Sequence, residues 1–177
     1  MKKIILGLSI VGLASVACNQ NASSDHEGHA LMIQGEKFNK NCETVRAHID
    51  EFQAENVDYS NYADDFYMIS TAFDARKDTI SLDELMDSDQ NFWRTYDAEL
   101  VTELVLLPGV LAETGEPNGS VRYYGQWRIT KAATDTSEAK EALLKLYESF
   151  DFDEEGKISV QMHYGDMGLA FQHLEGK

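Results

Sequence analysis

The segment "FDFDEEGKI", residues 150–158, combines acids and a glycine in a pattern that can bind calcium. The spacing is that of the first half of an EF-hand loop, with Asp151, Asp153, Glu155 and Gly156. The twelfth loop position, where an EF-hand needs a bidentate glutamate, is Met162. The residues after the glycine, "ISVQMHY", alternate in polarity like a strand instead of forming an exiting helix. We therefore predict a β-hairpin with an acidic turn and no calcium site.

The register of this hairpin can be read from its two apolar stripes. If Phe152 pairs with Ile158, simple alternation gives three further pairs: Phe150–Val160, Glu148–Met162 and Leu146–Tyr164. The two stripes then share one face of the sheet, as a half-buried sheet requires. In this register Asp166 lies on the face of Tyr164, whereas His163 points to the opposite face with Gln161.

The sequence predicts both helices and strands to position these residues, and therefore an α+β fold. Apolar spacing predicts a helix over 39–55, and the capping box of Ser81 and Glu84 begins a second helix that ends near Tyr96. Aromatic and β-branched runs predict strands at 65–73, 99–110 and 119–130. The segment 142–152 fits both templates: its local propensity favours a helix, and the hairpin register favours a strand.

The first residues have the pattern of an export signal. A basic start and a short apolar run precede "SVAC", which resembles a bacterial lipobox with Cys18 as the lipidated residue, although Ser15 stands where leucine is usual. The alternative is an ordinary cleaved signal. We predict a lipoprotein signal peptide at 1–17 and a lipid-anchored protein of the cell envelope, on the outer membrane and facing the periplasm or the cell surface. Cys42 then has no disulfide partner and fills the core.

Residues 18–37 are polar and predict a flexible tether ahead of a domain at 38–177. The tether contains "DHEGH", residues 25–29, which can bind a transition metal weakly, but no scaffold is predicted to hold a coordination geometry there. We therefore expect no metal and no cofactor. The formal net charge of -16 argues against direct binding of nucleic acid.

Several segments of the domain, in this order, resemble the SnoaL-like branch of the nuclear transport factor 2-like superfamily: "YADDFYM", "LLPGV", "GSVRYYGQW", "YESFDFDEEGKI" and "YGDMGL". The resemblance covers residues 38–174, and the closing strand pair is its most specific part. It implies a cone-shaped, strongly curved antiparallel sheet wrapped around N-terminal helices, with a pocket at the open end. It also implies that 142–152 is a strand.

The resemblance directs attention to Asp166, which matches the aspartate of the family's closing "Y-x-D" pattern and is the candidate acid/base. The alternative is that Asp166 caps the helix predicted for "MGLAFQHL". Glu148 interrupts an apolar stripe, so it either pairs with Arg122 or Arg128 or faces a ligand. Candidate pocket-lining aromatics, which core packing would also explain, are Tyr62, Phe66, Tyr96, Tyr123, Trp127 and Tyr164.

Two function classes are consistent with these residues. The first is a membrane-tethered module that binds a small apolar or aromatic molecule, or a partner protein, in the cone pocket. The second is a cofactor-free acid/base enzyme of the isomerase, cyclase or dehydratase type that uses a pocket aspartate. The sequence contains no complete catalytic constellation, which favours the binding module. Long side chains on one face of the strand 119–130 also predict a homodimer through the convex sheet: Arg122, Tyr124, Gln126 and Arg128.

Overall fold

A computed structural model describes the backbone of residues 21–71 and 77–177, and the side chains of 35–71 and 77–177. Three helices, one 3-10 turn and seven strands follow one another along the described chain: α1 (Asn21–Gln53), the 3-10 turn (Tyr59–Asn61), β1 (Tyr62–Ile69), β2 (Thr79–Ser81), α2 (Leu82–Trp93), β3 (Tyr96–Leu100), β4 (Val105–Val110), β5 (Pro117–Lys131), β6 (Lys140–Phe152), β7 (Ile158–Tyr164) and α3 (Met167–Glu175). The predicted signal peptide and Cys18 lie outside the described residues, and the side chains of "DHEGH" do so as well.

The seven strands form one curved, unclosed sheet in the order β2-β1-β7-β6-β5-β3. Strand β4 lies outside this path and pairs with the first half of β5, while β3 pairs with the second half. Neighbouring strands are antiparallel, as predicted, except β1 and β7, which are parallel. The α+β cone that the sequence predicts is therefore confirmed, with one parallel pair joining its first and last strands.

Helix α1 packs its apolar face against the inner surface of the sheet. Val45 and Ile49 are buried in the core, and the Asn41 amide donates to the Gly119 carbonyl at 2.8 Å. That bond ties the middle of the helix to the start of β5. Within the described residues, no helix is both long enough and apolar enough to cross a membrane.

Helix α2 begins where the sequence predicts. The Ser81 hydroxyl accepts from the Glu84 backbone N–H, and the Glu84 carboxylate accepts from the Ser81 N–H, which completes the capping box. Leu85 is buried against the core, so this helix closes one side of the cone.

The hairpin of β6 and β7 confirms that the acidic segment is a turn. Asp153 accepts from the backbone N–H groups of Glu155 and Lys157, at 2.9 Å each, and Gly156 has φ of 85°. Asp151 pairs with Arg122 at 3.0 Å. Both aspartates of the suspected calcium loop are therefore engaged in holding the hairpin together.

The predicted register of this hairpin is right at the turn and wrong beyond it. Phe152 pairs with Ile158, but Asp151 pairs with Val160, so Ser159 is an extra residue in β7. This bulge moves every later pair by one position, and Phe150 lies opposite Gln161 instead of Val160. Gln161 and His163 therefore point to the inner face, where simple alternation puts Tyr164.

Other boundaries also differ from the sequence-based prediction, and β1 begins at Tyr62 instead of residue 65. Strand β6 begins at Lys140, two residues before the strand 142–152 that the resemblance implies, and against local helix propensity. The predicted strand 99–110 is two strands, β3 and β4, because the chain leaves β5 between them and rejoins it further along. Helix α1 already begins at Asn21, inside the predicted tether, where "HALMIQGEK" is rich in strong helix formers.

Candidate functional site

A cavity of about 360 Å³ lies between the inner face of the sheet and the three helices. Its size is within the range of small-molecule sites. Most of its wall is apolar and aromatic: Ile49, Phe52, Met68, Ile80, Leu85, Phe92, Tyr123, Trp127, Ile129, Leu144, Leu146, Met167 and Phe171. Polar side chains interrupt this wall at a few points: His48, Ser70, Thr71, Ser88, Asp89, Glu148, Gln161 and His163.

Glu148 stands at the centre of the polar part of the cavity. Its Oε2 accepts from the Tyr123 hydroxyl at 2.5 Å, and its Oε1 accepts from Gln161 Nε2 at 2.6 Å. Trp127 Nε1 donates to the Tyr123 oxygen at 3.2 Å. Neighbouring strands position all four residues, since Tyr123 pairs with Glu148 across β5 and β6. Burial and the nearby Glu148 carboxylate raise the pKa of Tyr123, so its phenol stays protonated and acts as a donor.

Gln161 leaves one polar atom without a partner. A carboxylate only accepts hydrogen bonds, so the Gln161 amide must present its NH2 group to Glu148 and its oxygen elsewhere. That oxygen, Oε1, is buried and has no hydrogen-bond partner, and the residue is only 5% exposed. Buried acceptors are normally satisfied, so this one is a natural contact for a ligand donor.

His48, on α1, contributes an imidazole to the same cavity. Its Nδ1 lies 3.2 Å from the Tyr62 hydroxyl, and its ring packs edge-on against Phe150. Burial lowers the pKa of His48, and the acids Glu148 and Glu51 oppose that effect only partly. The imidazole is therefore neutral at neutral pH.

Asp89, on α2, is the second acid of the cavity. Its Oδ2 accepts from the Tyr59 hydroxyl at 2.8 Å. The pKa of Asp89 is raised to about 6, chiefly by burial. The Tyr59 hydrogen bond opposes this rise, and the nearby Glu148 adds to it. The carboxyl group therefore titrates in a range that suits proton transfer near neutral pH.

The described lining of the cavity contains acids and histidines. These are two acids and two histidines, with no lysine or arginine among the described lining residues. Among the described side chains, no group of three or more histidine, cysteine, aspartate or glutamate residues could hold a metal ion. The side chains of the cavity are of types that can donate or accept hydrogen bonds and exchange protons.

The structure brings together three of the residues that the sequence singled out. Tyr123, Trp127 and Glu148 line the cavity. Neither predicted ion pair of Glu148 forms: Arg122 pairs with Asp151, and Arg128 pairs with Glu99 and Glu141. Glu148 points inward, and both arginines lie on the opposite face of the sheet. Glu148 therefore accepts hydrogen bonds from neutral donors instead of forming an ion pair.

The other predicted site residues do not line this cavity. Tyr62 and Phe66 are buried and pack edge-on against each other, and Tyr96 packs on Phe171 while donating to Glu175 at 2.5 Å. Tyr164 is exposed on the outer face because of the bulge in β7.

Asp166 lies at the N-terminus of α3 and outside the cavity. It is the N-cap of this helix, and its Oδ1 accepts from the Leu169 backbone N–H at 3.2 Å. The carboxylate is exposed, on the rim of a shallow surface groove that Leu169 and His173 also line. The alternative that Asp166 is a helix cap is therefore the geometry observed.

Besides Glu148, four polar residues of the cavity carry an imidazole, a carboxyl or an amide group, and sequence reasoning missed all four: His48, Asp89, Gln161 and His163. Two of them carry a signal that could have found them. His48 precedes Phe52 by four residues on the apolar face of α1, and Asp89 follows Leu85 by four on that of α2. The other two are hidden by the bulge, which reverses their orientation.

No protein-family model matches the sequence, and no curated protein sequence matches it significantly. Solved structures nevertheless share its fold. A candidate polyketide cyclase from Xanthomonas campestris pv. campestris is 14% identical, with a TM-score of 0.58 over 77% of this chain and 98% of that one. A candidate isomerase from Bacillus subtilis is 12% identical, with a TM-score of 0.58 over 79% of this chain and 95% of that one.

A third neighbour carries the name of the fold. The nuclear transport factor 2-like protein from Burkholderia xenovorans LB400 is 10% identical, with a TM-score of 0.56 over 77% of this chain and 96% of that one. A curved sheet closed by helices around an inner cavity defines the class of small α+β cone proteins. The chain has the nuclear transport factor 2-like fold, as its sequence predicts. At these identities the likeness concerns the fold and not the activity.

Proposed function

We propose that this protein is a binding module that holds a small, largely apolar molecule inside its cone. The observation that supports this most directly is a cavity of about 360 Å³ with an apolar wall and convergent polar groups. Aromatic side chains such as Phe52 and Trp127 offer flat contact surfaces, and Glu148 and Gln161 offer fixed polar contacts. A partner protein remains a second type of ligand for the same opening.

The test is to fill the cavity with a larger side chain. Leu146 lines the cavity on β6, and Leu143 lies on the same strand but is 55% exposed outside it. The probe is N-phenylnaphthylamine, which is neutral and fluoresces in apolar sites. We expect saturable binding to the wild type, at least about tenfold weaker binding to Leu146→Trp, and unchanged binding to Leu143→Trp. Absence of saturable binding, or equal binding by all three proteins, would contradict the proposal.

A second candidate function is a cofactor-free acid/base enzyme. The titration of Asp89 near pH 6 beside the cavity favours it, because a general base is most effective when its pKa lies near the working pH. Asp89 thereby takes the role that the sequence suggested for Asp166. The candidate isomerase and cyclase among the structural neighbours are consistent with such chemistry in other members of the fold. In this reading, Asp89→Asn should abolish turnover of a bound substrate while retaining its binding.

We also propose that the module works at the cell envelope, anchored by acylation of Cys18. The support is the sequence pattern alone: a basic start, an apolar run and small residues before the cysteine. Labelled fatty acid should enter the wild type and not Cys18→Ser. Equal labelling of the two proteins would end the lipoprotein interpretation.

A further inference from the structure

The polar cluster around Glu148 is unbalanced in favour of hydrogen-bond acceptors. Tyr123 donates to Glu148 and receives the bond from Trp127 Nε1, so both donors are already used. The Gln161 NH2 group also donates to Glu148, which leaves its oxygen, Oε1, buried and unpartnered. The three hydrogen bonds of this cluster therefore lead, donor to acceptor, to the Glu148 carboxylate. The acceptor of the cluster that remains without a partner is the oxygen of Gln161.

The charges of the cavity are unbalanced in the same direction. Asp89 and Glu148 are acids, and no lysine or arginine is among the lining residues that the structure describes. The pKa of His48 is lowered by burial, so this imidazole adds no positive charge at neutral pH. A carboxylate ligand would be desolvated beside two acids, with no lysine or arginine of the described lining to compensate, which is costly. A ligand cation would gain charge-assisted hydrogen bonds and contact with aromatic faces such as Phe52 and Trp127.

We infer that the ligand of this cavity is an organic cation: an apolar or aromatic body that carries a protonated amine, with the amine directed at Glu148, Asp89 and the free oxygen of Gln161. This inference deepens the proposed small-molecule function and rests on it. The acceptors select the amine, and the apolar wall holds the body of the molecule.

The experiment compares three probes that share one body and differ in the head group: naphthylethylamine, naphthylethanol and naphthylacetate. Their affinities are measured by calorimetry at neutral pH with the wild type, with Glu148→Gln and with Glu154→Gln as control. Glu154 is an exposed acid of the hairpin turn, so its substitution changes the net charge equally without touching the cavity. We expect the amine to bind the wild type and the control at least about tenfold more tightly than the alcohol, with the carboxylate weakest.

Glu148→Gln should bring the affinity for the amine close to that for the alcohol. The Gln161 amide can rotate to face the new amide, so the variant keeps its internal hydrogen bonds. If Glu148→Gln does not fold, Asp89→Asn is the second variant, and it should also lower the affinity for the amine relative to the alcohol.

Two results would overturn the inference. One is a carboxylate or an alcohol that binds the wild type as tightly as the amine. The other is an amine preference that survives both substitutions. If either occurs while Leu146→Trp still blocks the probes, the ligand class is wrong and the binding function stands. If no probe binds and N-phenylnaphthylamine does not bind either, the binding function itself fails.

Discussion

Tyr123 connects the polar groups of the cavity at the residue scale. It is fully buried, and its hydroxyl joins the Glu148 carboxylate to the Trp127 indole. The three groups satisfy one another inside an otherwise apolar core, so the loss of one leaves the others without partners.

Removal of this hydroxyl should therefore be costly. We expect Tyr123→Phe to lower the free energy of unfolding by about 2 kcal/mol, because Glu148 Oε2 and Trp127 Nε1 both lose a partner. Tyr124→Phe is the matched control, since Tyr124 is the next residue of β5 and is 60% exposed on the other face. Urea unfolding measures both variants, and an equal effect of the two would refute the network.

Asp89 should make the stability of the fold depend on pH. Its pKa rises from 3.8 to about 6 on folding, because burial, helped by the nearby Glu148, disfavours the ionised carboxylate more than the Tyr59 hydrogen bond favours it. A raised pKa contributes stability below pH 3.8, and this contribution is lost as the pH rises through 6. Asp89→Asn keeps an oxygen for Tyr59 and removes the ionisation. We expect it to be more stable than the wild type by about 2 kcal/mol at pH 8 and equally stable at pH 3.5. Denaturant unfolding at both pH values is the measurement, and a difference that is constant with pH would contradict it.

The bulge in β7 has the largest consequence at the element scale. One extra residue, Ser159, reverses the orientation of the rest of the strand. It brings Gln161 and His163 into the cavity and sends Tyr164 outside. The polar character of the cavity thus depends on a local irregularity of the hairpin.

Helix α3 supports a test of the role of Asp166. The carboxylate caps this helix, and Leu174 anchors the helix in the core. Asp166→Asn should leave stability unchanged because the amide oxygen still caps, and Asp166→Ala should lower the free energy of unfolding by about 1 kcal/mol. Thermal unfolding measures stability, and N-phenylnaphthylamine measures binding. Unchanged probe binding in both variants is expected, and weaker binding in Asp166→Asn would restore a functional role to this residue.

At the scale of the whole molecule, the outer face of the sheet carries an aromatic row. The rings of Tyr124, Tyr147 and Tyr164 follow one another across β5, β6 and β7, with centroids 4.9 and 6.1 Å apart. Tyr124 and Tyr164 are exposed, and aromatic residues are enriched in protein interfaces.

We propose a homodimer through this outer face, as the side chains of β5 predict from the sequence. Sedimentation at high protein concentration should show a dimer for the wild type and a monomer for Tyr124→Glu, which adds charge at one end of the row. Leu111→Glu is the control, because Leu111 is also exposed but lies in the loop after β4. A monomeric wild type would contradict the proposed homodimer.

The sequence predicted much of the fold because local rules and tertiary packing agree in those segments. The capping box at Ser81, the helical stripe of Val45 and Ile49, and the acidic turn around Gly156 are local signals that the fold retains. Strand β6 was predicted only by the register argument and the family resemblance, since its own propensity favours a helix.

The sequence by itself determined the negative net charge of the chain, the inward position of Glu148 and the presence of aromatic residues for the core. Only the tertiary structure decided which polar groups meet Glu148. Gln161 and His163 reach the inner face through a bulge that no alternation pattern contains, and His48 and Asp89 arrive from helices far away in the chain. The physical reason is that strand orientation is set by pairing with neighbours across the sheet, and a single extra residue inverts it.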